Sequence, residues 1–341
     1  MKKIYLTGAL VLLAAIILVC VQLTSHGEWI VVSERFDQMG TFVDIQIPCH
    51  PEAIETAKTA IATAREEISR LEALLSPYRP DSDVSKINHN AANNPVPVSG
   101  DTFRVVKKAL EISELTKGAF DITFAPVGKI WGLDKEKPHI PSEREIEKKL
   151  PLVDYRNVIL DERKKTIAFA KTGMEIGLGG IAKGTVVDAA IRKIRSHGIN
   201  DALVNAGGDL YAMGLNRKRR PWGIGILHPR NKDLFITTLD LSNRAIVTSG
   251  DYERMVEVGG KRYHHILDPR TGRVARKSIS VSVVAPDAET ADALSTALFV
   301  MGKDGGLSLV EKLPQVEALI VTADKKIFAT GAFNILNDNL P

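Results

Sequence analysis

Between residues 201 and 285, six short segments read as strands, and no helical spacing interrupts them. They cover residues 202–205, 223–227, 234–241, 255–258, 262–267 and 279–284, rich in β-branched residues and bounded by Gly, Pro, Asn and Asp. Strands that follow one another through short turns pair antiparallel, and Gly259-Gly260 is the clearest of these turns. Residues 42–47 alternate apolar and polar, which adds a half-exposed strand near the start. Helical patterns bracket the strand-rich run. Ile54, Ile61, Ala64, Ile68, Leu71 and Leu75 form one stripe over residues 52–75, stopped by Ser76-Pro77. Residues 101–117 form a second helix, with Asp101 as the expected N-cap and Gly118 just past the end. Residues 182–197, 288–301 and 305–313 are further helices, and residues 316–322 and 326–330 close the chain as a hairpin. Strands and helices mix without βαβ regularity, so the expected class is α+β: largely antiparallel sheets with packed helices.

Residues 1–27 read as an address separate from the fold. Lys2 and Lys3 precede an uncharged apolar stretch, residues 4–23, and Ser25-His26-Gly27-Glu28 turns polar. The pattern fits a signal peptide or an uncleaved N-terminal membrane anchor. Twenty apolar residues can cross a bilayer. Positive charge on the short side places the body at the outer face of the cytoplasmic membrane or in the periplasm. Cys20 sits as in a lipoprotein box, but Val19 stands where such a box carries Gly, Ala or Ser, so lipidation and a plain anchor both stay open. Residues 28–341 then form one domain. The chain is 44% hydrophobic and 25% charged, enough apolar material for a core, which excludes disorder. Its net charge of +4 includes Lys2 and Lys3, too balanced to argue for nucleic acid. Cys20 and Cys49 allow no disulfide framework, and Cys49 reads as a small buried hydrophobe.

Four segments could carry chemistry. Ile176-Gly177-Leu178-Gly179-Gly180-Ile181-Ala182-Lys183-Gly184 runs into a helix, where backbone N–H groups and Lys183 could meet an anion, although the spacing is neither a P-loop nor GxGxxG. Asn205-Ala206-Gly207-Gly208-Asp209 places a carboxylate at a tight turn. Asp292 and Thr296 share a helix face at i and i+4, an oxygen pair suited to a hard cation, or else a solvated face. His264 and His265 lie on an expected strand and so point to opposite faces, which lets one of them serve as a general base.

Taken in order, these segments resemble the ApbE family of flavin transferases. The resemblance also includes Met39-Gly40-Thr41, Leu75-Ser76-Pro77-Tyr78, Gly118-Ala119-Phe120-Asp121-Ile122-Thr123, Thr248-Ser249-Gly250-Asp251-Tyr252 and the run from His265 to Gly272. It extends from about Arg35 to Phe333. It implies a T-fold-like α+β architecture. It also implies an enzyme that splits FAD at its pyrophosphate with Mg²⁺, moves FMN to a Thr or Ser hydroxyl of a target flavoprotein, and releases AMP. The acceptor is implied to carry a Ser/Thr-Gly-Ala-Ser/Thr sequence. By that resemblance Met39, Tyr78, Ala119, Phe120, Asp121, Lys183 and Ile266 line the FAD site, with Asp209 counted among them. Asp292, Thr296 and the Gly180 carbonyl hold Mg²⁺, and His265 is the catalytic base. Many members carry Asp where this chain has Gly177, and His264 receives no role. Two other readings are an FAD pyrophosphatase that gives FMN and AMP, and a non-catalytic FAD-binding lipoprotein. Thr330-Gly331-Ala332 resembles the acceptor core, but Phe333 replaces its last hydroxyl residue, so Thr330 is expected to be a strand-end residue and not a flavin acceptor.

Overall fold

A computed structural model describes residues 28–132, 139–331 and Phe333. The N-terminal segment and Cys20 lie outside the described residues. Eight strands form the central sheet: β1 (Ile30–Gln38), β2 (Thr41–Cys49), β3 (Ala202–Ala206), β4 (Asp209–Met213), β5 (Arg244–Gly250), β6 (Ser278–Ala285), β7 (Glu317–Thr322) and β8 (Ile327–Ala329). Their order in space is their order in the chain, and every neighbouring pair is antiparallel. The α+β expectation holds, and the β1–β2, β3–β4 and β7–β8 pairs are joined by short turns, which require antiparallel strands.

Alternation of side chains along the strands divides the core between two faces. Tyr211, Met213, Ala245, Val247, Val281, Val283 and Ile320 join the main core, which includes helices α1 (Ile54–Leu75), α6 (Ala182–Ser196) and α7 (Ala288–Val310). Leu210, Ala212, Ile246, Val284 and Leu319 join a second core, where the hairpin of Trp222–His228 and Asn231–Leu241 contributes Trp222, Ile226, Ile236 and Leu239. β6 is buried along its whole length because it is covered from both sides. Between β2 and β3 the chain also forms α2 (Asp83–Asn90), α3 (Gly100–Leu115), α4 (Ala125–Trp131) and α5 (Glu143–Lys149).

Several local expectations change. The cap of α3 is Ser99, whose side chain accepts the Thr102 N–H at 3.1 Å, and Asp101 pairs with Arg70 across the helix surface. The two expected helices at 288–313 are continuous in space but broken at Gly302, whose φ of 74° and ψ of −174° are not helical. A Cβ there would fall 2.7 Å from Lys277 Cβ. The expected strand at 262–267 ends at His264, so His265 sits on the irregular segment beyond it. Strands β1, β4 and β5 were not expected from the sequence: β4 and β5 are short and serve a sheet buried on both faces, and β1 is an edge strand with no fully buried residue. Cys49 is free and buried, as expected. At the C-terminal side Thr330 exchanges two bonds with Ala318, and Phe333 is buried in the second core.

Candidate functional site

The β1–β2 and β3–β4 turns lie at the same end of the sheet and touch. Gly207 has a φ of +59°, and a Cβ on it would fall 2.3 Å from Thr41 Oγ1. The Gly207 N–H donates to the Phe42 carbonyl at 3.0 Å. A glycine is therefore required both for the turn and for the close approach. Met39, also left-handed at φ 57°, donates its N–H to Glu72 near the end of α1 at 2.9 Å. Tyr78 follows that helix end and is 78% exposed, an aromatic ring free to meet a ligand.

At the start of α6, Lys183 donates to Asp209 at the start of β4. Burial alone would pull the Lys183 ammonium down, but Asp209 and then Asp292 outweigh it and hold its pKa above the ordinary lysine value. Asp292 is buried on α7, where its Oδ2 accepts the Gly184 N–H at 3.1 Å. Burial first, and the facing Asp209 second, push its carboxyl well above the usual carboxylate range, against the pull of Lys183. Gly184 makes this contact possible: a Cβ there would fall 2.2 Å from the Ala288 carbonyl oxygen. Asp188, one turn further along α6, caps the start of α7 by accepting the Ala288 and Glu289 N–H groups, each at 2.9 Å. Burial still drives its pKa up to about 7. Glu289 ties the same junction to Thr185 at 2.7 Å and to Arg104 at 2.7 Å.

Gly180 lies against the predicted neighbours. A Cβ on it would meet Phe120 Cε2 at 3.1 Å and Thr296 Oγ1 at 3.2 Å. Thr296 Oγ1 also lies 3.4 Å from Ser249 Oγ, which shares a 2.8 Å bond with Ser295. Asp209 Oδ2 is buried without a hydrogen-bond partner. An orphaned carboxylate oxygen beside a second buried carboxylate fits a site that takes a cation. Among the described residues no group of three or more His, Cys, Asp or Glu side chains converges on one point. The further donors at hand are hydroxyl and backbone oxygens, a set that matches a hard cation such as Mg²⁺.

The two histidines differ sharply. His264 is 3% exposed; its Nε2 lies 2.9 Å from the Ala275 carbonyl, its Nδ1 accepts the Ile266 N–H at 3.3 Å, and its ring meets Phe299 edge-on. It is a core residue, a role the sequence did not reveal. His265 reaches solvent, and its Nδ1 lies 3.4 Å from the Arg254 carbonyl, which also accepts the His265 N–H at 3.1 Å. A proton on Nδ1 leaves Nε2 as a free lone pair. Although the ring edge is open, protein atoms crowd around it. This desolvation, with His264, Arg254 and Lys183 adding repulsion, lowers its pKa to about 4.

The remaining predicted residues surround this cluster or support it. Ala119, Phe120 and Ile266 are buried. Both Asp121 oxygens are engaged locally, accepting from Thr123 N–H at 2.8 Å and from Tyr155 N–H at 2.9 Å. Asp121 edges a recess of about 350 Å³ that also has Lys117, Tyr155 and Arg270 on its walls. At Gly177 the space for a side chain is taken by Phe124, whose Cε1 would lie 3.3 Å from a Cβ. The Arg254 carbonyl is a site part with no mark in the sequence, and Gly184 and Ser249 stand in the quoted segments without a role of their own. No spacing signal gives their partners, because each acts through a contact made across the fold.

Comparison with known proteins gives the family. The sequence profile of the ApbE family matches residues 39–320. The chain belongs to the ApbE family. It is 34% identical over 293 residues to the FAD:protein FMN transferase of Treponema pallidum, covering 80% of each chain. To that of Klebsiella pneumoniae it is 32% identical over 295 residues, covering 86% of this chain and 90% of the relative. Among solved structures, the ApbE protein of Thermotoga maritima superposes with a TM-score of 0.81 at 38% identity, covering 88% of this chain and 97% of that one. The flavin transferase ApbE of Vibrio cholerae gives 0.79 at 30% identity, covering 89% and 98%.

Proposed function

We propose that this ApbE-family chain is a Mg²⁺-dependent FAD:protein FMN transferase, which moves FMN from FAD to a Thr or Ser hydroxyl of a target flavoprotein and releases AMP. The observation that carries the reading is the buried Lys183–Asp209–Asp292 cluster beside Gly180 and Thr296, with the free Nε2 of His265 within reach of Lys183's charge. Mg²⁺, held by Asp292, Thr296, Asp209 and the Gly180 carbonyl, would neutralise pyrophosphate charge and favour the leaving phosphate. Lys183 adds fixed positive charge on the pyrophosphate side. His265 Nε2 accepts the proton of the acceptor hydroxyl as its oxygen bonds to the FMN phosphorus and the bond to the AMP oxygen breaks; its low pKa keeps it neutral and ready at pH 7. Phe120 and Ile266 exclude water from one wall, and exposed Tyr78 offers a ring to the flavin.

The acceptor is a separate protein and not Thr330, whose oxygen accepts the Ala318 N–H at 3.0 Å. Residues 1–27 attach the enzyme to the outer face of the cytoplasmic membrane in this reading. The test mixes the protein with FAD, with and without Mg²⁺, and with and without an acceptor domain carrying Thr-Gly-Ala-Thr. AMP release that needs both Mg²⁺ and acceptor, with covalent FMN on the acceptor by mass spectrometry, supports transfer. Rapid AMP release without acceptor supports the pyrophosphatase instead.

A further inference from the structure

The loop between β4 and the Trp222–His228 strand carries four consecutive cations, Arg217, Lys218, Arg219 and Arg220, all exposed. Arg219 pairs with Asp201 and also stacks over Trp29, its guanidinium carbon 4.3 Å from the ring centroid. Among the described residues, the side chains of Arg217, Lys218 and Arg220 enter no ion pair. Trp29 immediately precedes β1 and is where the described fold leaves the N-terminal segment. From Leu23, the last apolar residue of that segment, to Trp29 is six residues, which reach at most about 20 Å. If a lipid on Cys20 is the attachment point, the tether is nine residues and about 30 Å. The Trp29–Arg219 contact therefore keeps the basic loop at the membrane end of the molecule.

The candidate site lies at the other end. β1 runs from Ile30, beside Trp29, to Gln38, beside Met39, roughly 30 Å of extended chain. The β3–β4 hairpin shows the same polarity, with Asp201 and Leu215 at one end and the Gly207-Gly208 turn at the other; the Leu215 N–H donates to Asp201 at 2.7 Å.

We propose that the 217–220 loop is a docking surface for an anionic bilayer: it seats on acidic lipid headgroups beside the N-terminal attachment and orients the domain with His265 and Tyr78 facing away from the membrane. The observations that favour a lipid partner are the uncompensated charge of the loop, its place next to the tether, and Trp29, an aromatic of the kind that settles at headgroup level. The consequence is a reach. An acceptor hydroxyl meets the enzyme some tens of ångströms above the bilayer, so the target presents its modified segment on a domain that stands off the membrane. The proposal rests on attachment through residues 1–27.

Full-length protein, reconstituted into vesicles of phosphatidylcholine alone or with one third phosphatidylglycerol, tests it. Flotation reads attachment, and limited trypsin digestion reads orientation. The expected result is co-flotation with both vesicles. Cleavage after Arg217, Lys218 and Arg219 should be slowed at least about tenfold on the anionic vesicles and restored by high salt. Cleavage after Lys261, in the hairpin that leads to His265, should proceed at one rate on both. The triple variant Arg217→Gln/Lys218→Gln/Arg220→Gln, which keeps Arg219 as a cleavage site, should lose the protection while still floating. A protein that fails to float overturns both the attachment and the docking. One that floats but is cut equally at 217–219 on both vesicles, or is protected equally at Lys261, overturns the docking alone.

Discussion

At the junction of α6 and α7, Asp292 is sealed from solvent and held by a backbone N–H, whereas His265, on the segment beyond the Lys261–His264 strand, is open at its edge and held by one carbonyl. The first region is rigid by construction. Gly184 lets two helices meet at backbone distance, and Asp188 and Glu289 stitch them together. The second region is a two-stranded hairpin with exposed Met255 and Val258, paired with nothing but itself. Charge neutralisation benefits from a desolvated, preorganised pocket, where each interaction is stronger. Accepting a macromolecular hydroxyl requires an accessible base. Under the proposed function the phosphate side of the site is prebuilt and the acceptor side is completed by the partner.

The largest expected effect tests the buried side. Asp292→Ala is expected to cut FMN transfer by roughly a thousandfold or more, since under the proposed function it removes a cation ligand that acts on phosphoryl charge. Its thermal midpoint should show a folded protein, because relief of a buried carboxylate offsets the lost Gly184 bond. Transfer at wild-type rate under saturating FAD and Mg²⁺ would contradict the metal assignment.

His265→Ala is expected to lose about 10²–10⁴-fold in rate with stability unchanged. His264→Ala should do the reverse, costing about 1–3 kcal/mol by orphaning the Ala275 carbonyl and Ile266 N–H while sparing much of the rate per folded molecule. Denaturant titrations beside initial rates separate the two; equal loss of rate would erase the distinction between the neighbours.

Gly184→Ala is expected to destabilise by about 1–3 kcal/mol, because the neighbour a Cβ would strike is backbone that cannot rotate away. Gly179→Ala, with open space around its Cβ position, serves as the control. Similar melting of both would show the α6–α7 contact to be looser than it is drawn.

The effect of pH is smaller and has a defined sign. His265 is neutral down to about pH 4, so the acid limb attributable to this base should fall near there and well below 6.5. His264, also pushed down to about 4 by burial, takes its proton near pH 6.5 when unfolded. The unfolded chain then binds more protons between those values, and stability falls as pH drops from 6.5 towards 4. Urea midpoints at pH 7 and pH 5, compared between wild type and His264→Gln, read this contribution. The smallest expected effect is none at all: Thr330→Val should leave the intact mass after incubation with FAD and Mg²⁺ the same as wild type, with no flavin adduct in either.

Much of this was readable along the chain. Amphipathic spacing located α1, α6 and α7 to within a few residues, and Gly118, Gly198 and the Gly259-Gly260 pair mark reversals that require positive φ, as each adopts. The i, i+4 relation of Asp292 and Thr296 is a property of any helix and needed no fold to be seen. Strands β4 and β5 carry no such signal because a strand buried on both faces loses the alternation that betrays it. The cap of α3 lies two residues before Asp101 because Ser99 and Asp101 are both competent caps and only the entry angle of the chain chooses between them. What the tertiary structure alone decided is the pairing of distant charges. Lys183 meets Asp209 across the loop–sheet boundary, Gly184 meets Asp292 across two helices, and Ser249 meets Thr296 from strand to helix. It also separated two adjacent histidines into a core residue and one that reaches solvent. Local sequence sets backbone periodicity within a few residues, but the pKa of a side chain depends on which atoms from remote segments displace water around it. That information exists only once the chain has closed on itself.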